Sequence, residues 1–240
     1  MQSVKTPGKE KKLGKTLDNS VKTRKESNKS NTYPTMASPE TTARSLILAS
    51  TSPYRRELLE RLRLPFSVAA PGVDETPAPG EAPRDLALRL ALAKARAVSQ
   101  AHPGALVIGS DQVATVDGAP IGKPGGFEQA LAQLQAMRGR TVAFHTAVAV
   151  DDGRHPASAV VTTRCMLREL SDRALRAYLH AERPYDTAGS AKAEALGIAL
   201  MERIESDDPT ALIGLPLIAL TRLLAGFGMD PLDALEEPRA

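Results

Sequence analysis

The chain has 240 residues, of which 42% are hydrophobic and 25% are charged, with a formal net charge of +3. This length can bury the core of one large domain or two small ones. The single cysteine excludes an intramolecular disulfide scaffold and a structural zinc site built from several cysteines. The sequence shows neither a run of about 18 apolar residues nor the apolar core of a secretory signal, so we expect a cytoplasmic protein without a membrane partner.

Residues 1–35 differ from the rest of the chain in charge and composition. They hold eight lysines and one arginine against three acids, a net charge of +6, which leaves −3 for the remainder. Apolar residues are scattered there, so the segment cannot bury enough surface to offset its chain entropy. We predict a disordered basic extension over residues 1–41, a folded domain over 42–228 and a flexible tail over 229–240. The lysines would suit phosphate contacts, but no arginine cluster or aromatic series accompanies them. We therefore favour an upstream extension, with Met36 as the natural start, and expect no specific nucleic-acid partner.

Apolar runs of strand length alternate with helical patterns along the folded part. Strands are predicted at residues 46–50, 66–70 and 105–109, and helices at 53–64, 83–100 and 127–137. Later in the chain the pattern predicts a short hairpin at 113–121, long strands at 142–150 and 159–170, and helices at 171–180 and 216–224. Early alternation followed by hairpins indicates an α/β fold with a mixed sheet.

Several groups in this pattern are suited to binding a phosphorylated ligand. Ser52 and Pro53 begin a helix, and an anion is stabilised at a helix N-terminus, where Arg55 adds a cation. Asp111 follows the buried run 105–109, where a carboxylate can hold Mg²⁺ or activate a water. Glu75 lies in a loop rich in proline and glycine.

The lysines of the folded part are rare. From residue 36 onward the chain has 19 arginines but only three lysines, Lys94, Lys123 and Lys192. Since lysine is a compact point charge and arginine a planar fork, a lysine kept where arginine is the usual cation can be needed for its shape. Lysines, arginines, a helix N-terminus and carboxylates together favour attack of water on a polyphosphate.

Seven ordered motifs make the chain resemble the Maf family of nucleotide pyrophosphatases. They run from about residue 46 to 224: ILASTSPYRRELL (47–59), VDET (73–76), LAKA (92–95), GSDQ (109–112), GKP (122–124), AGSAK (188–192) and IGLP (213–216). The resemblance implies a two-lobed α/β fold around a central mixed sheet, related to inosine triphosphate pyrophosphatases. It also implies a divalent cation such as Mg²⁺ or Mn²⁺, a nucleoside triphosphate substrate, and a nucleoside monophosphate and pyrophosphate as products. We allow for a homodimer.

The resemblance also assigns roles to individual residues. The family's proton acceptor falls on Asp111, which remains a candidate metal ligand together with Glu75. The family's phosphate-binding positions fall on Ser52, Arg55, Lys94, Lys123 and Lys192.

Three positions depart from the members of the family that act on dTTP and UTP. Where those usually show Arg, Thr and Gln, this chain has Tyr54, Gln112 and Glu194, a set that resembles the subfamily acting on 7-methyl-GTP. Methylation at N7 makes guanine cationic, so Glu194 could accept from its N1–H and amino edge while Tyr54 stacks on the ring. We therefore expect a 7-methyl-GTP pyrophosphatase, with a dTTP/UTP pyrophosphatase or a non-enzymatic inhibitor of septum formation as the alternatives.

Overall fold

A seven-stranded mixed sheet forms the centre of the fold in the computed structural model, which describes residues 44–235. The strands are β1 (Leu46–Ala49), β2 (Phe66–Ala69), β3 (Leu106–Val116), β4 (Ala119–Ile121), β5 (Thr141–Asp151), β6 (Pro156–Leu167) and β7 (Met201–Glu205). Their order is β2-β1-β3-β5-β6-β7, with β4 paired to β3. The pairs β1–β2 and β1–β3 are parallel and the others are antiparallel. The predicted α/β fold with a mixed sheet is confirmed.

The helices of the described part pack on both faces of this sheet. They are α1 (Pro53–Glu60), α2 (Pro83–Ala101), α3 (Phe127–Met137), α4 (Asp172–Glu182) and α5 (Leu217–Gly226). Two of them begin at the caps that the sequence predicts, because Ser52 Oγ accepts from the Arg55 N–H and Ser171 Oγ accepts from the Ala174 N–H, both at 3.4 Å. Such caps satisfy backbone donors that the first turn leaves without partners.

Two apolar clusters lie at opposite ends of the long strands on one face of the sheet. Near one end, Ile108 and Val150 pack with α1 and α5, and towards the other, Ala114 and Phe144 pack with α3 and α4. These clusters form the cores of the two predicted lobes, which share one continuous sheet.

Helix α2 covers the opposite face through alanine contacts. Ala91 and Ala95 pack against Ala147 and Ala149, which alternate along β5 with the residues facing the other side. A Cβ added at Gly109 would collide with the Ala91 carbonyl and the Ala95 nitrogen. The absence of a side chain at residue 109 therefore allows α2 to approach β3 closely.

Strand β3 differs from the prediction in length. We expected a strand ending at Gly109 with Asp111 beyond its end, but β3 continues to Val116, and Asp111 pairs with Ala147 of β5. On the other side of β3, β1 pairs only as far as Gly109 and β4 pairs only from Ala114. Residues 110–113 therefore have a neighbouring strand on one side and a gap on the other. The polar Ser-Asp-Gln sequence marks that gap rather than the end of the strand.

Other elements differ in detail. Helix α1 ends at Glu60, and it cannot reach the predicted 64 because Arg63 adopts a left-handed conformation (φ 56°). Strand β7 and short 3₁₀ helices at Ala188–Ser190, Leu196–Leu200 and Ala211–Ile213 were not predicted. In the predicted C-terminal tail, Met229 packs on the core beside α5, whereas the predicted N-terminal extension lies outside the described residues. None of the described helices is both long and apolar enough to cross a membrane.

Candidate active site

The gap beside β3 opens into a polar cavity of about 420 Å³. Nine of the ten residues singled out from the sequence line it: Ser52, Tyr54, Arg55, Glu75, Lys94, Asp111, Gln112, Lys123 and Glu194. They come from α1, α2, β3 and the loops around them, which are far apart in sequence. The sheet gap is thus the place where the sequence motifs meet.

A buried ammonium group joins two carboxylates at the base of the cavity. Lys94 Nζ lies 2.6 Å from Glu75 Oε1 and 2.7 Å from Asp111 Oδ1. Lys94 and Asp111 are 5% and 7% exposed, whereas the Glu75 side chain is 60% exposed. Lys94 belongs to the part of α2 that packs directly on Gly109, so the same close contact sets the distance between the ammonium and Asp111.

Arg55 connects the N-terminal turn of α1 to the loop before α5. Its Nε donates to the Gly214 carbonyl at 2.9 Å, and Nη1 lies 3.5 Å from Ser50 Oγ. Ser110 Oγ lies 3.0 Å from the same carbonyl and 2.8 Å from the Ala147 carbonyl. Burial lowers the pKa of Arg55, while the charges of Asp111 and Glu75 oppose that shift. An arginine remains cationic at neutral pH under such a shift, so the cavity keeps a fixed positive charge here.

Lys192, the tenth predicted residue, lies beside the cavity rather than in its lining. Its Nζ is 3.6 Å from Asp186 Oδ1 and 6.0 Å from the centre of the Tyr54 ring, and both of these residues line the cavity. Partial burial lowers the pKa of Lys192, but its interactions with Tyr54 and Asp186 outweigh that effect and raise the pKa above its ordinary value. A Cβ at Gly197 would collide with the Lys192 backbone, so the chain can pass this close to Lys192 only with glycine at 197.

Gln112 and Glu194 occupy different positions at the wall of the cavity. Gln112 Nε2 donates towards the Ala211 and Leu212 carbonyls, at 2.9 and 3.1 Å, and lies 2.9 Å from Thr146 Oγ1. The exposed Glu194 lines both this cavity and a smaller neighbouring one of about 280 Å³, which has a largely apolar lining. Gln112 thus fixes the wall, while Glu194 presents a carboxylate to the space beside it.

Lys123 and Ser52 complete the polar lining. Lys123 is exposed on the turn after β4, where the neighbouring Gly122 carbonyl accepts from Gln133 Nε2 at 3.1 Å. Ser52 caps α1 with its hydroxyl and lies where the backbone donors of the first turn open into the cavity.

Asp208 is a supporting residue that the sequence reasoning missed. Its carboxylate is 1% exposed, and it accepts hydrogen bonds from the N–H groups of Ile218 and Ala219 as well as from Thr210. These bonds fix the start of α5 and the segment that carries Gly214. An Asp-x-Thr sequence just before a helix, as at 208–210, is the available signal, since such side chains bond to the backbone nearby.

His145, His180 and Cys165 lie outside the lining of this cavity. His145 Nδ1 lies 3.0 Å from Thr162 Oγ1, and the His180 ring stacks on Phe127 at 4.8 Å. Burial raises the pKa of the Cys165 thiol to about 12. These three residues have packing roles.

Comparison with known proteins agrees with the motifs. A Bordetella pertussis protein named 7-methyl-GTP pyrophosphatase is 70% identical over 187 residues, covering 78% of this chain and 94% of that protein. A Ralstonia nicotianae protein with the same name is 66% identical over 181 residues, covering 75% and 93%. A solved HAM1 protein from Coxiella burnetii is 17% identical with a TM-score of 0.39, covering 53% of this chain and 74% of that one, and the predicted relation to inosine triphosphate pyrophosphatases stays a prediction. The profile described as Maf-like protein matches residues 45–227, and the chain therefore belongs to the Maf family.

Proposed function

We propose that the protein hydrolyses 7-methyl-GTP to 7-methyl-GMP and pyrophosphate, and so removes a modified nucleotide from the cytoplasmic pool. The observation that carries the reaction class is the convergence of Arg55, Lys94, Lys123 and two carboxylates in one polar cavity. The names of the relatives from Bordetella and Ralstonia support the choice of substrate.

The phosphate chain is bound by cations and by the start of α1. Arg55 and Lys123 both line the cavity and supply positive charge to it. The N-terminus of α1 at Ser52 adds backbone donors and the favourable end of the helix dipole. Lys192 extends the positive charge to the cavity edge. Neutralising charge and fixing orientation are the main contributions a protein can make to phosphoryl transfer.

Asp111 accepts the proton of the attacking water in this proposal. The water oxygen forms a bond to phosphorus, the bond between that phosphorus and the bridging oxygen breaks, and the bridging oxygen leaves with the pyrophosphate. Because Asp111 Oδ1 is bound by Lys94, Oδ2 is the oxygen that accepts the proton. Lys94 also holds the carboxylate still, which lowers the cost of orienting it when the water attacks.

The chemistry of the site also suits a divalent cation shared with the substrate. Glu75 and Asp111 direct oxygens to one point, now bound by the Lys94 ammonium. The described residues contain no cluster of three or more potential metal-binding side chains, and Mg²⁺ is commonly held by one or two carboxylates together with substrate phosphates. When bound, such a cation would supply further charge neutralisation at the phosphate oxygens, with Glu75 and Asp111 as its protein ligands.

Selection of the base rests on Glu194 and Tyr54. A carboxylate at Glu194 can accept from the N1–H and amino group of 7-methylguanine, and the Tyr54 ring can stack on the cationic base. Gln112 acts differently in this proposal, since its amide nitrogen is occupied by the Ala211 and Leu212 carbonyls. Its contribution to selectivity is to hold the wall against which the base packs.

The test is hydrolysis of 7-methyl-GTP, GTP, dTTP and UTP at equal concentration with Mg²⁺ or Mn²⁺, with separate measurement of pyrophosphate and orthophosphate. We expect 7-methyl-GTP to give the highest kcat/KM and pyrophosphate to be the product. Preference for dTTP or UTP would refute the substrate and leave the reaction class intact. Release of orthophosphate alone would refute the reaction class, and no hydrolysis at all would favour the non-enzymatic alternative.

A further inference from the structure

The loop that carries Glu75 lacks regular secondary structure. Residues 70–82 form neither helix nor strand, and the Glu75 side chain is 60% exposed. Its carboxylate nevertheless reaches within 2.6 Å of Lys94. Since a loop of this kind is not held by a backbone ladder, its position depends on the side chains that tie it to the rest of the molecule.

Those ties come from Arg89, which lies five residues before Lys94 on α2. Its Nε donates to Glu81 Oε1 at 2.6 Å, and its Nη2 donates to Glu81 Oε2 at 2.9 Å and to the Thr76 carbonyl at 3.0 Å. A paired arginine fork of this type fixes direction as well as distance. One guanidinium thus binds the residue next to Glu75 and the far end of the same loop.

Three further hydrogen bonds stiffen the loop from within. Glu81 Oε2 accepts from the Ala78 N–H at 2.9 Å, and Asp74 Oδ1 accepts from the Thr76 N–H and hydroxyl at 2.9 and 2.7 Å. The neighbours of Glu75 on both sides are therefore held, while the Glu75 carboxylate itself is left to Lys94. The Arg89 bond also lowers the pKa of Glu81 to about 2, so the pair stays ionised at neutral pH.

We infer that the Arg89–Glu81 pair is a positioning device for the reaction, which sets the Glu75 carboxylate against Lys94 and the bound phosphates. This inference rests on the proposed function. Arg89 and Glu81 lie outside the cavity lining and act through Glu75. Because α2 carries both Arg89 and Lys94, the loop and the Lys94 ammonium are positioned by the same rigid helix.

The alternative is that the Arg89–Glu81 pair only stabilises the fold, since Glu81 also lies just before the start of α2. The two roles predict different effects on kcat/KM. The variant Arg89→Lys, which keeps the charge but loses the guanidinium fork, distinguishes the positioning role from the structural role. It is made both in the wild-type protein and in the Glu75→Gln variant. If the pair acts through Glu75, Arg89→Lys lowers kcat/KM by about 10-fold in the wild type, since small misplacements of a reacting group are costly. In the Glu75→Gln background it changes kcat/KM less than about 2-fold, because no carboxylate remains to be placed.

Arg138→Lys is the matched control. Arg138 also binds a carboxylate and a backbone carbonyl, at Asp172 (2.8 Å) and Leu170 (3.1 Å), but it lies between α3 and α4 and away from the cavity. We expect it to leave kcat/KM unchanged in both backgrounds. Glu81→Gln, tested in the same cycle, replaces Arg89→Lys if that variant does not fold.

Amide hydrogen exchange supplies a readout that is independent of turnover. In Arg89→Lys, exchange over residues 74–81 is expected to accelerate several-fold, while exchange in β3 stays at the wild-type rate. Equal losses of kcat/KM in both Glu75 backgrounds, or unchanged exchange over 74–81, would overturn the inference. If the wild-type protein hydrolyses none of the nucleotides, the proposed function falls, and the exchange rates alone decide whether the pair holds the loop.

Discussion

Replacing Asp111 by Asn tests the mechanism most directly, because the change keeps the shape of the side chain and removes its charge. Asp111 is 7% exposed, and its Oδ1 lies 2.7 Å from Lys94 Nζ. Breaking a buried ion pair by removing one partner commonly costs about 3–5 kcal/mol. Here Lys94 keeps Glu75 at 2.6 Å, so we expect a smaller loss of unfolding free energy, about 2 kcal/mol. Turnover should fall by about 10²-fold or more, the scale of a lost general base.

The assay measures kcat for 7-methyl-GTP and the midpoint of thermal unfolding for each variant. Asp151→Asn is the matched control, since Asp151 is a buried carboxylate (1% exposed) on β5 whose cationic partner, Arg96 at 3.4 Å, also lies on α2. The control should lose stability but keep turnover near the wild type. Added Mn²⁺ should partly restore Asp111→Asn if Asp111 is chiefly a metal ligand, and should not if it is chiefly a base. Turnover of Asp111→Asn within about 3-fold of the control would refute its role in the reaction.

Four further outcomes are expected from the structure. Glu194→Gln should lower kcat/KM for 7-methyl-GTP by about 10- to 100-fold, the value of a hydrogen bond to a charged group, and change that for dTTP much less in parallel assays. Gly109→Ala should lower the unfolding free energy by about 1–3 kcal/mol in denaturant titrations, because its Cβ would displace α2. Cys165 should resist alkylation at pH 8 in the native protein and react after denaturation, because burial raises the pKa of its thiol to about 12. The bond from Arg89 lowers the folded-state pKa of Glu81 to about 2, from an ordinary value of 4.5. The stabilisation of the loop by this pair is therefore complete above about pH 5 and is lost as the pH falls towards 2. Amide exchange over 74–81, corrected for intrinsic rates, should show this loosening.

The order of strands and helices could be predicted from the sequence because apolar runs and caps are local signals. Ser52 and Ser171 begin helices as expected, since each cap acts on an amide only three residues away. Strand β3 was predicted too short for the opposite reason. The hydrogen bonds that extend β3 past Asp111 come from β5, where Asp111 pairs with Ala147, 36 residues later in the chain. A local sequence pattern cannot indicate so distant a partner.

The candidate site divides in the same way. Lys94, Asp111 and Arg55 could be found because their residue types suit phosphate chemistry and their motifs resemble a family. Arg89 and Asp208 were missed because their importance lies in what they bind: a loop eight to thirteen residues earlier for Arg89, and a helix start ten residues later for Asp208. The Asp-Pro-Thr sequence at 208–210 signals a side-chain bond to the backbone nearby, but it does not show that the bond reaches the start of α5. Nothing in the sequence around Arg89 indicates its partners, and only the folded contacts distinguish it from a solvated surface charge.

Helix α2 connects these observations into one physical argument. Its approach to β3 is fixed by the bare backbone of Gly109, which lies two residues before Asp111. From that fixed helix Lys94 reaches Asp111, and Arg89 reaches the loop of Glu75. The distance between the two carboxylates is therefore set by packing and by one arginine fork rather than by the loop itself. A substitution that moves α2 should consequently disturb both acids together, whereas loss of the fork should disturb Glu75 alone. In the Glu75→Gln background, Gly109→Ala should therefore still lower kcat/KM, because Asp111 is displaced, while Arg89→Lys should leave it nearly unchanged.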